Sequence, residues 1–441
     1  MNLGAFKAGV NWDNAGVSMY TAAADLYPLC RSITGDGLRE TLRRIGEFIP
    51  LQITEIPTGT RVLDWEIPRE WTIRDAYIVA PDGNRLAEFR SHNLHVLNYS
   101  APMHARMPLE DLKRHLHTLP GHADWIPYRT SYYQDDWGFC MPYRQAETLP
   151  GGEYEVVIDS ELKEGSLTYG ECVLPGAIPD EVLISAHVCH PSLANDNLSG
   201  VVVAAQLAAM LQACPRRHTF RFVFAPGTIG AIAWLARNED HVKQIRHGMV
   251  LACLGDSAPK TYKRSRRHNA FVDQAAAHVL SQSGEACQIL DFTPCGYDER
   301  QYGSPGFDLP VGCFMRSMPG AFPEYHTSAD NLDFIKPEAL ADSLRTLLDI
   351  VEIIECDGVY RNTHPKGEPQ LGRRGIYRTL GGMTTRQTAE LALLWALNYS
   401  DGRHSLLDIA SKAGMPFAAL REAADLLEKH SLLERIPVVT D

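Results

Sequence analysis

The segment EVLISAHVCHPSLANDNLSG, residues 181–200, combines metal-binding side chains with a strand-to-helix connection. Its apolar run predicts a strand that ends at His187, and Asp196 lies just before a helix that begins near Leu198. Imidazole nitrogen and carboxylate oxygen are both zinc ligands, so two such side chains on one connection can reach the same ion. The residues also fit a structural interpretation, in which Asp196 caps the helix and His187 belongs to the core.

Two further loops carry side chains of the same kinds. His326 lies in EYHTSADN, after the apolar segment LPVGCFM, and Asp298, Glu299 and Arg300 lie in CGYDERQYGSPG, after CQILDF. In parallel sheets, the loops at the carboxyl ends of the strands gather at one edge and form the functional site. The sequence therefore predicts that these loops contribute to a single site.

The elements around these loops alternate between apolar strands and helices. From residue 153 onward, strand-like segments such as EVLISAH and TFRFVFAP alternate with helix-like segments such as LSGVVVAAQLAAMLQA. This alternation predicts an α/β fold, a three-layer sandwich around a mixed, mainly parallel sheet.

Changes in composition predict three domains. Residues 1–59 and 151–365 form the catalytic domain, and residues 60–150, with tryptophans, prolines and short alternating runs, form an inserted β-rich lid or rim domain. Residues 375–441 show a helix, helix, turn, helix pattern, which is typical of a winged-helix domain.

Composition excludes several classes of protein. The chain is 45% hydrophobic and 22% charged, which is typical of a globular protein. It lacks an apolar run of the ~20 residues that a membrane span needs, and it begins without a secretory signal pattern. Its ten cysteines include no CxxC and indicate reduced thiols. We therefore expect a cytoplasmic protein with no membrane partner.

The charge balance argues against nucleic acid as a partner. The whole chain carries a net charge of −12, and residues 384–441 contain six Lys or Arg against eight Asp or Glu. A DNA-reading helix needs a basic stripe, which the last helical segment does not show. We expect the winged helix to pack against its own chain or a second subunit, and we predict a homo-oligomer.

The order of the motifs resembles the zinc aminopeptidase and glutaminyl cyclase clan: a His, then Asp-Asn-x-x-Gly, an apolar strand, an Asp loop and Tyr-His-Thr-x-x-Asp. More narrowly, LYPLCRSITGDGLRETL, SYYQDDWGFC, HVCHPSLANDNLSG, YDERQYGSPG and EYHTSADN resemble a bacterial family of aminopeptidase-like proteins of poorly defined function. That family carries a small inserted domain and a C-terminal winged helix. The resemblance covers nearly the whole chain and implies an aminopeptidase-like sandwich.

The resemblance implies a role for each matching residue. His187 and His326 match the first and final histidine ligands of the clan, and Asp196 matches the aspartate that bridges two metals. Asp298 matches an aspartate near the substrate and is predicted to be catalytic.

Three positions depart from the clan pattern. Gly227-Thr228 stands where the clan has a Glu-Glu pair, its general base followed by a ligand, and Cys253 stands near the position of an Asp ligand. Cys189 replaces the aspartate two residues after the first histidine. We therefore expect one zinc per chain, held by three protein ligands with an open fourth position, as in catalytic sites.

The missing Glu-Glu pair leaves the general base unassigned. We predict that Glu299 is the base, with an ion pair to Arg300 or another arginine as the alternative role. The basic cluster TYKRSRRH forms either a solvated face or a contact for an anionic substrate group. The residues predicted to support the site or contact the substrate are His190, Arg300, Glu324, Tyr325, Asp330, Lys263 and Arg266.

Together these features predict a metallo-aminopeptidase or amidohydrolase that cleaves an amide or peptide bond of a small peptide-like substrate with zinc-activated water. One alternative on the same scaffold is zinc-dependent amide transfer or cyclisation. Another, favoured by the missing Glu-Glu pair, is a non-catalytic zinc-binding, ligand-binding or regulatory protein with a winged helix.

Overall fold

A computed structural model describes residues 3–376 and 383–437 of the chain. The strands are β1 (Gln52–Pro57), β2 (Arg61–Val62), β3 (Trp65–Glu66), β4 (Glu70–Val79), β5 (Arg85–Leu86), β6 (Met103–Pro108), β7 (Leu116–His117), β8 (Phe139–Cys140), β9 (Glu153–Lys163), β10 (Ser166–Leu174), β11 (Glu181–His187), β12 (Thr219–Ala225), β13 (Ile245–Leu251), β14 (Lys260–Lys263), β15 (Cys287–Leu290), β16 (Val311–Met315), β17 (Val359–Asn362), β18 (Asp401–Ser405) and β19 (Leu433–Arg435). The α-helices are α1 (Leu3–Ala8), α2 (Trp12–Leu26), α3 (Asp36–Ile45), α4 (Leu109–Leu112), α5 (Tyr143–Glu147), α6 (Gly200–Gln212), α7 (Ile229–Arg237), α8 (Phe271–Gln282), α9 (Glu299–Tyr302), α10 (Pro337–Cys356), α11 (Met383–Tyr399), α12 (Leu406–Ala413) and α13 (Phe417–Lys429).

The central sheet has eight strands in the order β1-β10-β12-β11-β13-β16-β14-β15. Its middle pairs, β12/β11, β11/β13 and β13/β16, are parallel, whereas β1/β10, β10/β12 and β14/β16 are antiparallel. Every residue of β11 is buried, as expected for a continuous apolar run at the centre of a sheet covered on both faces. The predicted α/β fold with a mixed, mainly parallel sheet is confirmed.

The segment between β1 and β10 forms a second sheet of four strands, in the order β5-β4-β9-β6. Strand β9 lies beyond residue 150, so this sheet extends past the boundary that composition suggested. Its buried side chains, including Trp71, Ile78 and Val156, share one continuous hydrophobic core with Leu183 of β11 and Trp234 of α7. The inserted segment is therefore tied to the central sheet by common packing.

The C-terminal part contains helices α11, α12 and α13 with a small sheet in the order β18-β17-β19, which confirms the predicted winged helix. Helix α12 begins with a capping box, in which Ser405 and Asp408 exchange side-chain to backbone hydrogen bonds. Strand β17 pairs with both other strands of the small sheet, although the sequence placed it in the catalytic domain. Its short polar sequence, VYRN, gives little strand signal.

The described chain divides into two compact units. One comprises Met1–Gly9, Phe271–Cys287 and Arg345–Asp441, and the other comprises Val10–Ala270 and Gln288–Leu344. The second unit holds all the predicted site residues. Within the described residues, no helix combines the length and the apolar character that crossing a membrane requires.

Candidate metal centre

The centre of the candidate site is Asp196, at the carboxyl edge of the central sheet. His187 is the last residue of β11, and a kinked π-type turn, Ala194–Ser199, carries Asp196 to the start of α6. Asp330 holds this turn, because its carboxyl group accepts the backbone N–H groups of Asn195 (2.5 Å) and Asp196 (2.9 Å). The Asp196 side chain is therefore fixed by its backbone and is completely buried.

Three imidazoles converge on the Asp196 carboxylate. His187 Nε2 lies 2.9 Å from Oδ1, and His190 Nδ1 and His326 Nε2 lie 3.2 Å and 3.0 Å from Oδ2. The predicted ligands His187, Asp196 and His326 are thus brought together, and His190 joins them. The structure therefore places three imidazoles around one carboxylate at the end of β11.

The electrostatics of the cluster favour an ionised carboxylate. Burial opposes the charge on Asp196, but the charge of His190 and hydrogen bonds from the histidines hold its pKa well below the usual value. Burial lowers the pKa of His187 and of His326, so both imidazoles are neutral at pH 7. Burial also opposes charge on His190, yet Asp196 raises the His190 pKa well above its usual value. A metal bound here would displace that proton, since a ligand imidazole must be neutral.

Two side chains that sequence reasoning did not assign complete the surroundings of Asp196. Tyr297 donates its hydroxyl to Asp196 Oδ1 at 2.7 Å, and its ring stacks on His187 with centroids 4.4 Å apart. Asn197 donates to the Leu251 carbonyl at 3.0 Å and accepts the backbone N–H of Cys253 at 3.2 Å. Tyr297 precedes the predicted site residue Asp298 in the chain. This position next to Asp298 was the one sequence feature that could have indicated Tyr297 as a site residue.

These residues fit a metal ion by two structural criteria. The ligand atoms of His187, His190 and Asp196 all lie within 4.8 Å of one another. In addition, Asp196 Oδ2 and His326 Nε2 are buried and lie 3.0 Å apart, yet among residues 3–376 and 383–437 neither atom has a partner at strict hydrogen-bond geometry. Imidazole and carboxylate donors around an ionised aspartate match the ligand preferences of zinc.

The two predicted catalytic acids, Asp298 and Glu299, lie in different environments. Asp298 is 1% exposed, and within the described part of the chain neither of its carboxylate oxygens has a hydrogen-bond partner. Burial and then the charge of Glu299 raise the Asp298 pKa to about 8. A Cβ atom built on Gly227 would lie 3.1 Å from the Cβ of His187 and 3.7 Å from Asp298 Oδ1, so the carboxyl group and His187 flank the same glycine.

Glu299, the predicted general base, is completely buried and forms an ion pair with Lys263. Lys263 also donates to the carbonyls of Cys295 (2.6 Å) and Thr293 (3.3 Å). The ion pair that we considered as the alternative role is therefore present, with a lysine from β14 as the partner in place of an arginine.

The remaining predicted residues separate into two groups. Tyr325 stacks on His326 with centroids 3.9 Å apart, and the backbone carbonyl of Glu324 accepts hydrogen bonds from Thr327 in the same loop. Arg300 is exposed, and Arg266 forms a surface ion pair with Asp308 at 2.8 Å. No contact of either arginine with the three histidines or Asp196 is found within the described residues.

Comparison with known proteins identifies relatives over the whole length of the chain. A sequence profile described as "Domain of unknown function (DUF4910)" matches residues 20–357, and one described as a winged helix-turn-helix matches residues 358–435. A protein of Clostridium acetobutylicum is 47% identical over 426 residues, which cover 97% of this chain and 98% of the relative. Its name, which is marked as provisional, is polysaccharide biosynthesis protein with aminopeptidase-like domain.

Solved structures show the same relationship. The crystal structure of a Clostridium acetobutylicum protein, provisionally named a peptidase, has a TM-score of 0.92 at 46% identity and covers 97% of this chain and 98% of that chain. A zinc aminopeptidase from Bacillus subtilis has a TM-score of 0.58 at 13% identity, covering 77% of this chain and 95% of that chain. The resemblance to aminopeptidase-like proteins and the predicted fold are confirmed.

Proposed function

We propose a zinc-dependent amide hydrolase activity for this chain, which belongs to the family described as a domain of unknown function (DUF4910). The observation that carries the proposal is the convergence of three imidazoles on one buried, ionised carboxylate at the carboxyl edge of an aminopeptidase-like sheet. Sites of α/β folds lie at this edge, where loops from neighbouring strands meet.

His187, His190 and Asp196 would hold the metal, and His326 contacts the same carboxylate. Bound there, zinc would supply a Lewis acid that polarises a carbonyl group and activates water. Tyr297 and Asn197 orient the carboxylate and the loop around it through their hydrogen bonds. Such outer contacts fix ligand geometry and commonly matter nearly as much as the ligands.

We assign proton transfer to Asp298 in place of Glu299. A carboxyl group with a pKa near 8 holds a proton at neutral pH and can release it to a leaving amine. Asp298 flanks Gly227 together with His187, whereas Glu299 is engaged by Lys263. An ion-paired carboxylate is a weak base, since proton uptake would leave the buried lysine without its counter-ion.

The substrate that we propose is an amide carried by a saccharide. The support is the name of the Clostridium acetobutylicum relative, which joins polysaccharide biosynthesis to an aminopeptidase-like domain. An N-acyl or N-aminoacyl amino sugar combines these two chemistries in one small molecule.

A substrate panel tests the proposal. Zinc-loaded and zinc-stripped protein is assayed on N-acyl amino sugars, N-aminoacyl amino sugars and simple peptide amides. We expect zinc-dependent hydrolysis of a sugar-linked amide, and a loss of about 10²–10⁴-fold in kcat for Asp298→Asn, the range that general acid–base catalysis supplies. Asp308→Asn is the matched control, because Asp308 is an exposed aspartate paired with Arg266, and this variant should retain wild-type turnover.

One observation favours a second candidate, a zinc-binding protein without hydrolytic activity. Gly227-Thr228 replaces the Glu-Glu pair of the clan, so the usual general base is missing. If the zinc-loaded protein binds sugar-linked amides and hydrolyses none of the panel, this candidate is supported and the hydrolase is not. Formation of a new amide or a cyclised product, without net hydrolysis, would instead indicate the transfer reaction.

Nucleic acid is not part of the proposed function. The exposed side chains of α13 include Glu422, Asp425 and Glu428 against Lys429. Arg421 of the same helix lies 3.3 Å from Glu352 and is largely buried. A helix with this charge distribution lacks the phosphate-neutralising cations on which DNA affinity depends. We propose that the winged helix makes protein contacts.

A further inference from the structure

Tyr128, from the inserted segment, forms part of a ring cluster at the candidate metal centre. Its ring centroid lies 5.2 Å from that of His190 and 5.1 Å from that of His326, and the two histidine rings lie 5.0 Å from each other. All three contacts are edge-to-face, an arrangement that aromatic rings prefer. The three rings form a nearly equilateral triangle.

The backbone of the same segment is bonded to the loop that carries His326. Pro127 and Thr327 form an antiparallel bridge, in which Tyr128 N–H donates to the His326 carbonyl at 2.8 Å and Ser328 N–H donates to the Ile126 carbonyl at 2.9 Å. The hydroxyl of Ser328 also accepts the N–H of Ile126 at 2.9 Å. An isolated β-bridge of the inserted segment therefore holds the His326 loop.

This support matters because the His326 backbone is in the left-handed region, with φ of 56°. Non-glycine residues adopt that conformation at a cost and persist in it where surrounding contacts determine it. The bridge fixes the His326 carbonyl, and the Tyr128 ring limits rotation of the imidazole. The Tyr128 ring also limits rotation of the His190 imidazole, and Arg31 donates a hydrogen bond to the His190 backbone carbonyl at 2.8 Å.

We propose that Tyr128 is a positioning residue that sets the orientation of His190 and His326, so that the inserted segment completes the metal centre. This inference rests on the proposed zinc site. Tyr128 is 6% exposed, and its hydroxyl bonds that of Tyr132 at 2.9 Å, so the ring itself is anchored. The Tyr128 ring contacts the two histidines, whereas the Tyr128 hydroxyl forms the hydrogen bond to Tyr132.

The test compares Tyr128→Leu, which removes the ring, with Tyr128→Phe, which keeps it. Tyr154→Leu is the matched control, because Tyr154 is a buried tyrosine of the same segment whose hydroxyl donates to the carbonyl of Pro150. Circular dichroism and thermal unfolding establish that each variant is folded. The first readout is the histidine ring NMR spectrum of metal-free, histidine-labelled protein, and the second is the affinity and absorption spectrum with Co²⁺ in place of zinc.

In Tyr128→Leu, we expect the NMR signals of both His190 and His326 to shift, Co²⁺ affinity to fall about 10–100-fold and the cobalt spectrum to change, as for other outer contacts of metal sites. Tyr128→Phe should match wild type in all three properties, because it keeps the ring that contacts His190 and His326. The proposal is overturned if Tyr128→Leu leaves both signals unchanged, or if Tyr154→Leu shifts them equally. Failure of the wild-type protein to bind zinc or Co²⁺ would refute the proposed function, and the NMR comparison would still decide the role of Tyr128.

Discussion

The ion pair between Glu299 and Lys263 allows the structural role of Glu299 to be separated from a catalytic one. Glu299 is completely buried, and the Lys263 side chain is 5% exposed. In Glu299→Gln, the amide keeps the shape of the side chain, but the buried ammonium group loses its counter-ion. In Glu299→Leu combined with Lys263→Met, both charges are replaced by apolar side chains of similar size.

The two changes should differ in their effect on stability. Removing one partner of a buried pair costs about 3–5 kcal/mol, because a charge is left uncompensated. Lys263 keeps two carbonyl acceptors, from Cys295 and Thr293, so we expect the lower end, about 3 kcal/mol. At roughly 2–4 °C per kcal/mol for a large domain, the unfolding temperature should fall by about 10 °C. The double variant should be near wild type, since apolar replacement of a whole buried pair is often neutral.

Differential scanning calorimetry measures the stabilities, and turnover of the amide substrate found by the panel measures catalysis. If Glu299 only pairs with Lys263, the double variant should recover both stability and kcat. A double variant that is as stable as wild type but slower by 100-fold or more would refute this reasoning. It would show that Glu299 or Lys263 takes part in the reaction, as the sequence predicted for both.

Four further outcomes are expected. Purified protein should hold one zinc per chain by mass spectrometric metal analysis, and His187→Ala or Asp196→Ala should release most of it; two tightly held zincs would contradict the ligand assignment. Burial raises the pKa of Asp357 to about 6, so its carboxyl group binds a proton more tightly in the folded than in the unfolded protein. The stability that the protonated Asp357 provides is therefore lost as pH rises from about 4 to 6. The free energy of unfolding of Asp357→Asn, measured by denaturant titration, should rise relative to that of wild type by up to about 3 kcal/mol between pH 4 and pH 7. Removing residues 370–441 should change the oligomeric state or the stability, measured by light scattering and calorimetry, and leave zinc content unchanged. The full chain should bind no genomic DNA fragment in shift assays at about 0.1 M salt, where long-range charge attraction is screened.

The parts of the site that could be predicted are local in the chain. His187 ends β11, and Asp196 lies in the turn that leads into α6. The apolar run of β11 and the helix after Asp196 therefore predict, without any tertiary contact, that the two side chains lie on one strand-to-helix connection. His326 required the motif resemblance, because nothing in its own loop distinguishes it from other polar loops. The central sheet was predictable for the same local reason, since its strands are short apolar runs between helices.

Tertiary packing decided the rest. The bond between Ile126 and Ser328 joins residues 202 positions apart, and no pattern around Tyr128 indicates that its ring meets two histidines. The pairing of Glu299 with Lys263 depends on β14 lying next to β16 in the sheet, whereas the sequence offered Arg300 as the adjacent cation. Strand β17 was not predicted, because its four residues are too short a run to indicate a strand. It forms through its hydrogen bonds with β18 and β19.

The departures from the clan pattern form one connected change around Asp196. A Cβ atom at position 227 would lie 3.1 Å from the Cβ atom of His187, so a glutamate there would require His187 to move by a few tenths of an ångström. The thiol of Cys253 lies 3.4 Å from the Tyr297 hydroxyl, which in turn bonds Asp196. Burial raises the pKa of Cys253 well above its usual value, which stabilises the neutral thiol. The replaced positions therefore pack against His187 and are linked through Tyr297 to Oδ1 of Asp196, while His190 lies 3.2 Å from Oδ2 of the same carboxylate. With these positions occupied by glycine and cysteine in place of carboxylates, we expect a single-metal centre on this scaffold.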